Sequence, residues 1–132
     1  MGRLCIQRVL VGLLWFLAAP VAAEETKVKQ LVLRDLVGLP EKEGMILTVE
    51  YAPGASTPRH RHNAHTFVYV LDGAIVMQVE GGEEVTLSQG QTFYETPDDI
   101  HVVSKNASDA QPAKFLVFFV KEKGAPPVVP VP

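Results

Sequence analysis

The feature that most limits the fold of this chain is a series of short apolar runs separated by turn residues. After residue 24 the runs are rich in valine, leucine and phenylalanine, and glycine, proline or aspartate interrupts them. No run keeps helical spacing for about ten residues, and turns every ~8–12 residues indicate an all-β sandwich, jelly roll or small barrel. The predicted strands are 28–36, 45–51, 66–71, 74–79, 84–87, 92–95, 101–104 and 114–120.

The strand predicted at 66–71 is apolar on both faces. Alternation puts Val68 and Val70 on one face and Phe67 and Tyr69 on the other. One face must line the core and the other must pack on a second sheet or a second subunit, so we expect a homodimer. Asp72-Gly73, before the next apolar run, predicts a tight hairpin. Val68, Val70 and Val76 are expected to line an apolar pocket.

The N-terminus has the three parts of a secretory signal peptide. Arg3 and Arg8 precede an apolar run at 9–19, and Pro20 and small residues up to Ala23 follow it. The run is shorter than the ~20 residues that span a bilayer, so we expect cleavage after Ala23 and no stable membrane insertion afterwards. An uncleaved anchor is the alternative. The sequence thus predicts an exported protein, periplasmic or secreted, with a signal peptide at 1–23, one domain at 24–123 and a proline-rich, extended tail at 124–132.

The net charge of the mature chain argues against some classes of partner, and its cysteine content argues against disulfides. The mature chain would keep ten of the twelve basic residues and all fifteen acidic ones, which gives a net charge of −5. This balance argues against nucleic acid and anionic membranes as partners. The single cysteine, Cys5, would be removed with the signal peptide, so the domain must be stabilised by a hydrophobic core without disulfides.

Four histidines provide the clearest functional signal. His60 and His62 are two residues apart, His65 follows, and His101 lies far along the chain. In an extended segment, residues i and i+2 point to the same side, so His60 and His62 can converge on one ion. A site with three protein ligands leaves a position open for water or substrate. A pair of surface histidines in a basic patch is the alternative interpretation.

Two stretches around these histidines resemble the motifs of the cupin family. Residues 54–73, GASTPRHRHNAHTFVYVLDG, resemble the first motif, with a glycine, H-x-H and a closing glycine. Residues 90–106, GQTFYETPDDIHVVSKN, resemble the second, with glycine, proline, histidine and asparagine in order. The likeness extends over about 28–121, and it implies a single cupin jelly-roll β-barrel of about eight strands.

The resemblance also implies a metal site. His60, His62 and His101 match the three metal-binding histidines of the family. Imidazole ligands suit several divalent ions, so we expect one ion of Fe, Zn, Mn, Ni or Cu.

The fourth ligand position departs from the family pattern, because Thr66 stands where the family has a glutamate. His65 is a candidate for this position. Strict alternation turns His65 away from the ion, whereas a bulge at Asn63-Ala64 would turn it inward.

Glu95 is the candidate for a catalytic role. It lies on the strand that leads to His101, where it could orient a histidine ring or act as a base. A solvated carboxylate at a strand edge is the simpler interpretation.

Three functions are compatible with these features. The first is a metal-dependent enzyme, oxygenase-like or isomerase-like, that acts on a small molecule. The second is a non-catalytic module that binds a sugar or an organic acid, which the absence of the motif glutamate favours. The third is a metal-binding protein of the cell envelope. The cupin fold alone does not decide among them.

Overall fold

The computed structural model describes residues 25–132, so the predicted signal peptide at 1–23 lies outside the described residues. The described part forms ten strands and no helix. It accordingly contains no helix that is long and apolar enough to cross a membrane. The strands are β1 (Thr26–Asp35), β2 (Lys42–Tyr51), β3 (His60–Arg61), β4 (Ala64–Asp72), β5 (Ala74–Val79), β6 (Val85–Ser88), β7 (Thr92–Glu95), β8 (His101–Asn106), β9 (Ala113–Glu122) and β10 (Val129–Pro130).

The strands form two five-stranded antiparallel sheets. Sheet A has the order β1-β2-β9-β4-β7, and sheet B has the order β10-β3-β8-β5-β6. All eight predicted strands are present, and the prediction of an all-β jelly roll is confirmed. The sheets face each other as a sandwich-like jelly roll. Two short strands, β3 and β10, were not predicted, because two residues are too few to show a periodic pattern.

The turn at Asp72-Gly73 is a corner between the sheets, so the predicted hairpin is wrong. β4 pairs with β7 and β9 in sheet A, whereas β5 pairs with β6 and β8 in sheet B. Gly73 has a φ of 69°, and a Cβ on it would come within 2.6 Å of the Pro112 carbonyl oxygen. The glycine is therefore needed for a close backbone approach as well as for its left-handed conformation.

The core lies between the inner faces of the two sheets. Val68 and Val70 are buried there, as the alternation of β4 predicts. Val76 is on the other face of β5, where its cross-strand partners Thr86 and Lys105 are exposed. The prediction that Val76 lines the pocket is therefore wrong, and Val70, although buried in the core, does not line it either, whereas Val68 does. The core includes Met45, Leu47, Val49, Tyr51, Ile75, Met77, Phe115, Val117 and Phe119.

Candidate metal site

Three of the four histidines meet on the inner side of the sandwich. His60 is on β3 and faces His101, the first residue of β8, as its direct cross-strand partner. His62 follows β3, and all three side chains are at most 9% exposed. One ring nitrogen from each lies within 4.8 Å of the other two. This group could hold one metal ion, as the motif spacing predicts.

Backbone carbonyls orient two of the rings. His60 Nδ1 lies 2.7 Å from the Pro58 carbonyl oxygen, and His62 Nδ1 lies 2.7 Å from that of Pro127. A carbonyl oxygen can only accept a hydrogen bond, so each Nδ1 carries the proton and donates it. Nε2 of each ring then keeps its lone pair, which is the tautomer that a metal ligand needs.

The C-terminal tail contributes to the site, which the sequence did not predict. Its strand β10 pairs with β3, so that Pro130 lies opposite His60. Upstream, Lys121 Nζ donates to the Ala125 carbonyl oxygen at 2.5 Å, and Gly124 N donates to Glu43 Oε1 at 3.2 Å. These contacts fix the start of the tail and place the Pro127 carbonyl beside His62. No spacing signal in the sequence links the tail to the histidines.

Burial keeps two of the histidines neutral. It is the main cause that lowers the pKa of His62 to about 4, and the neighbouring His60 adds to it. It also lowers the pKa of His101 to about 3, with further contributions from His60 and His62. Neutral imidazole is the form that binds a metal ion, so these rings are ready to act as ligands at neutral pH.

Glu95 is buried beside the histidines, so its interpretation as a solvated edge carboxylate is wrong. The residue is 1% exposed. Its Oε1 lies 3.3 Å from His101 Nδ1, and its Oε2 lies 3.8 Å from His62 Nε2. Burial, with a smaller effect of the Asp99 charge, raises the pKa of Glu95 to about 8.

The polar atoms of this group fit a cation. Within residues 25–132, neither carboxylate oxygen of Glu95 has a hydrogen-bond partner, and the His101 ring nitrogens make no hydrogen bond of good geometry beyond a contact with the Val103 backbone, although all four atoms are buried. Buried polar atoms are normally bonded, because leaving them unpaired costs about 1–3 kcal/mol each. A divalent ion would satisfy the carboxylate and one nitrogen of the His101 ring.

His65 is placed apart from this group, and its prediction as a fourth ligand is not supported. Asn63 has a φ of 49°, so the chain is irregular there, but β4 pairs regularly from Ala64 to Val70. His65 therefore points to the exposed outer face, where its Nδ1 lies 2.8 Å from the Tyr94 hydroxyl. Strict alternation along the strand explains this orientation.

The histidines and Glu95 line a cavity of about 310 Å³. This volume is at the lower end of the range for small-molecule pockets. Most of its wall is apolar, and the polar groups are concentrated at the histidine cluster and around the Tyr51 hydroxyl, which lies 2.7 Å from Ser104 Oγ. The apolar wall comprises Val49, Val68, Met77, Phe115, Val117 and Phe119.

Several solved structures share the fold of this chain. A cupin superfamily protein from Desulfitobacterium hafniense is 15% identical, with a TM-score of 0.61, over 74% of this chain and 79% of that one. A polyketide cyclase from Streptomyces resistomycificus is 24% identical, with a TM-score of 0.62, over 83% and 73%. An oxalate oxidase in complex with the substrate analogue glycolate is 20% identical, with a TM-score of 0.61, over 81% and 61%. At these identities the likeness shows the fold alone.

Sequence comparison identifies the family. A search of curated proteins found no match. The family model described as "Cupin domain" matches residues 47–119, which is more than half of the chain and includes all three buried histidines. The chain therefore belongs to the cupin family.

Proposed function

We propose that this chain is a metal-dependent cupin enzyme that acts on a small molecule, in an oxygenase-like or isomerase-like reaction. The observation that carries the proposal is the pair of rings at the cavity wall, His60 and His62, whose Nε2 lone pairs are fixed by carbonyl acceptors. Fixing a ligand's tautomer and ring orientation in this way is typical of functional metal sites. The oxalate oxidase and the polyketide cyclase are cupin-fold proteins named for small-molecule chemistry.

Each group of residues in the site would have its own role. His60, His62 and His101 would hold one divalent ion of Fe, Zn, Mn, Ni or Cu, and that ion would supply a Lewis acid in the cavity. The apolar wall would bind the carbon skeleton of the substrate and exclude water. Glu95, whose Oε1 lies 3.3 Å from His101 Nδ1, would complete the polar end of the cavity beside these histidines.

Elemental analysis of untagged protein tests the metal. We expect about one equivalent per chain in the wild type and a loss of most of it in the double variant His60→Ala, His62→Ala. A metal content far below one equivalent that the double variant does not change would contradict the proposal. Oxygen-uptake assays with small thiols, phenols and diketones then test for oxygenase activity.

A non-catalytic binding module is the second candidate, and Thr66 is the observation that favours it. The family's glutamate position holds a buried threonine, whose hydroxyl donates to the Ala64 carbonyl oxygen at 3.3 Å. A module of this kind, or a metal-binding protein of the envelope, would retain metal but turn over no substrate. Calorimetric titration with sugars and organic acids, showing binding without reaction, would identify the module.

We further propose that the protein is exported and forms a homodimer. The residues that support export are Arg3, Arg8 and the apolar run at 9–19 ahead of Ala23. Intact-mass measurement of protein from the periplasm or medium should show a chain that begins at Glu24. The dimer is supported by exposed aromatic side chains on the outer face of sheet A.

A further inference from the structure

We infer that Glu95 is the carboxylate ligand of the metal site, supplied from β7 in place of the glutamate that position 66 lacks. This inference rests on the proposed metal site. The family pattern puts the carboxylate on the strand that follows H-x-H, which is β4 in this chain. Here that position is Thr66, and the carboxylate is one strand further along sheet A.

The strand register shows that the side chains at positions 66 and 95 project from the same face of sheet A. Thr66 and Glu95 are direct cross-strand partners in the antiparallel pairing of β4 with β7. Directly opposed residues project from the same face of a sheet, with Cβ atoms about 4.5–5.5 Å apart. Both side chains are buried, at 0% and 1% exposure, and both line the cavity. From its place one strand further along the sheet, the Glu95 carboxylate still comes within 3.3 Å of His101 and 3.8 Å of His62.

Among residues 25–132, Glu95 forms no ion pair with a lysine or an arginine. Within residues 25–132, its ion-pair neighbours are His62 and His101 alone. The buried lysine of the core, Lys121, is paired with Glu43 instead. A buried carboxylate without a compensating charge is costly, so an ion held by the histidines is the partner that this arrangement provides for.

The distances from Glu95 to two of the three histidines suit a shared ion, and the carboxylate lies just outside the group of three ring nitrogens that are within 4.8 Å of one another. Glu95 Oε2 lies 3.8 Å from His62 Nε2, the atom of His62 that is free to bind metal. Glu95 Oε1 lies 3.3 Å from His101 Nδ1 without forming a hydrogen bond to it. One carboxylate would reduce the net charge of a divalent site with three neutral imidazoles from +2 to +1, which stabilises the ion in an apolar cavity.

Zinc affinity of the full-length mature chain tests the inference. Metal-free protein is titrated with Zn²⁺ against a chromophoric chelator, in the wild type and in Glu95→Gln. Glutamine has nearly the same size and shape as glutamate but loses the negative charge of the ligand, so we expect binding to weaken by about 10- to 100-fold. Glu50→Gln, which changes an exposed carboxylate that is paired with Lys114 and does not line the cavity, is the matched control and should leave the affinity unchanged.

A second variant moves the carboxylate back to the family's position. In Thr66→Glu, Glu95→Thr the two residues exchange places across the strand pair, and we expect most of the lost zinc affinity to return. Infrared difference spectra of the wild type should also show a carboxylate stretching band that shifts on Zn²⁺ addition and is missing in Glu95→Gln.

The outcomes separate this inference from the proposed function. If the wild type binds Zn²⁺, His62→Ala abolishes binding and Glu95→Gln binds within about threefold of the wild type, Glu95 is no ligand, whereas the histidine site stands. If the wild type binds no metal, the proposed function fails and the inference fails with it. Should Glu95→Gln not fold, the infrared shift in the wild type and the affinity of the exchanged variant decide.

Discussion

At the scale of single residues, the buried ionisable groups of the metal site should determine how the stability of the metal-free protein depends on pH. The pKa of Glu95 is raised from 4.5 to about 8, while the pKa values of His62 and His101 are lowered from 6.5 to about 4 and about 3. A raised carboxyl pKa means that the folded state holds a proton that the unfolded state has lost, so stability falls as pH rises from 4.5 to 8. The lowered pKa values of the two histidines act in the opposite direction. Their contribution to stability is present above pH 6.5 and is lost as the pH falls below that value.

We therefore predict a stability maximum near pH 6.5 for chelator-treated protein. Of these three groups, Glu95 alone binds a different number of protons in the folded and unfolded states between pH 6.5 and 8, and Glu95→Gln removes it. The free energy of unfolding of this variant, relative to the wild type, should rise by about 1.4 kcal/mol per pH unit in that interval. Urea unfolding at several pH values measures it, and a difference between the two proteins that does not change with pH would contradict the prediction.

Asn106 should be a stabilising residue of the second motif. Its side chain is buried, its Nδ2 lies 2.8 Å and 3.0 Å from the carbonyl oxygens of Gln111 and Ala52, and its Oδ1 accepts from Ser108 N at 2.9 Å. Asn106→Ala leaves these backbone groups without partners, so we expect a loss of about 2–4 kcal/mol in the free energy of unfolding. Asn106→Asp keeps the acceptor for Ser108 N but turns a carboxylate oxygen toward the carbonyl oxygens of Gln111 and Ala52, so it should cost at least as much as the alanine variant. Urea unfolding distinguishes the variants, and an alanine variant as stable as the wild type would refute the assignment.

At the scale of elements, the tail should strengthen metal binding by orienting His62. Deleting residues 127–132 removes β10 and the Pro127 carbonyl that accepts from His62 Nδ1. His62 would then lose its fixed tautomer, and outer hydrogen bonds of this kind are worth about 10- to 100-fold in metal affinity. Zn²⁺ titration measures the effect, and deletion of Pro132 alone is the control. Equal affinities for both truncated chains would show that the tail has no such role.

The elements also show how far the sequence could predict this molecule. Periodic strands such as β4 and β9 were predictable, because alternation of buried and exposed residues is a local property. The spacing of His60 and His62 and the second motif around His101 predicted which histidines meet. The role of the tail depends on a two-residue strand containing a proline, and its pairing with β3 is a contact between distant segments that no local pattern encodes.

Glu95 illustrates the same limit for a single side chain. From the sequence it is a carboxylate near a turn, and such residues are usually solvated. Its burial follows from the pairing of β7 with Thr66 on β4, which the order of strands in the sheet determines. The hairpin predicted at Asp72-Gly73 was wrong for a related reason. The local turn signal is the same whether the next strand pairs with the preceding one or crosses to the other sheet.

At the scale of the whole molecule, the outer face of sheet A should form the dimer interface. Phe67, Tyr69 and Tyr94 are each 45–46% exposed. The centroid of the Phe67 ring lies 5.0 Å from that of Tyr94 and 5.9 Å from that of Phe118, so the aromatic groups form one continuous patch. Monomeric proteins rarely expose a large contiguous apolar surface, and a twofold axis allows such a patch to bury itself against its own copy.

A charge placed in this patch should dissociate the dimer without unfolding the domain. We expect the wild type to have the mass of a dimer by light scattering after size exclusion at about 50 μM, and Phe67→Lys to have the mass of a monomer. Because Phe67 points away from the core, the variant should keep the zinc affinity of the wild type, as the three histidines lie on the opposite side of sheet A. Val37→Lys, at a fully exposed position in the loop after β1, is the matched control and should remain a dimer. A monomeric wild type, or a Phe67→Lys variant that stays dimeric, would remove this face as the interface.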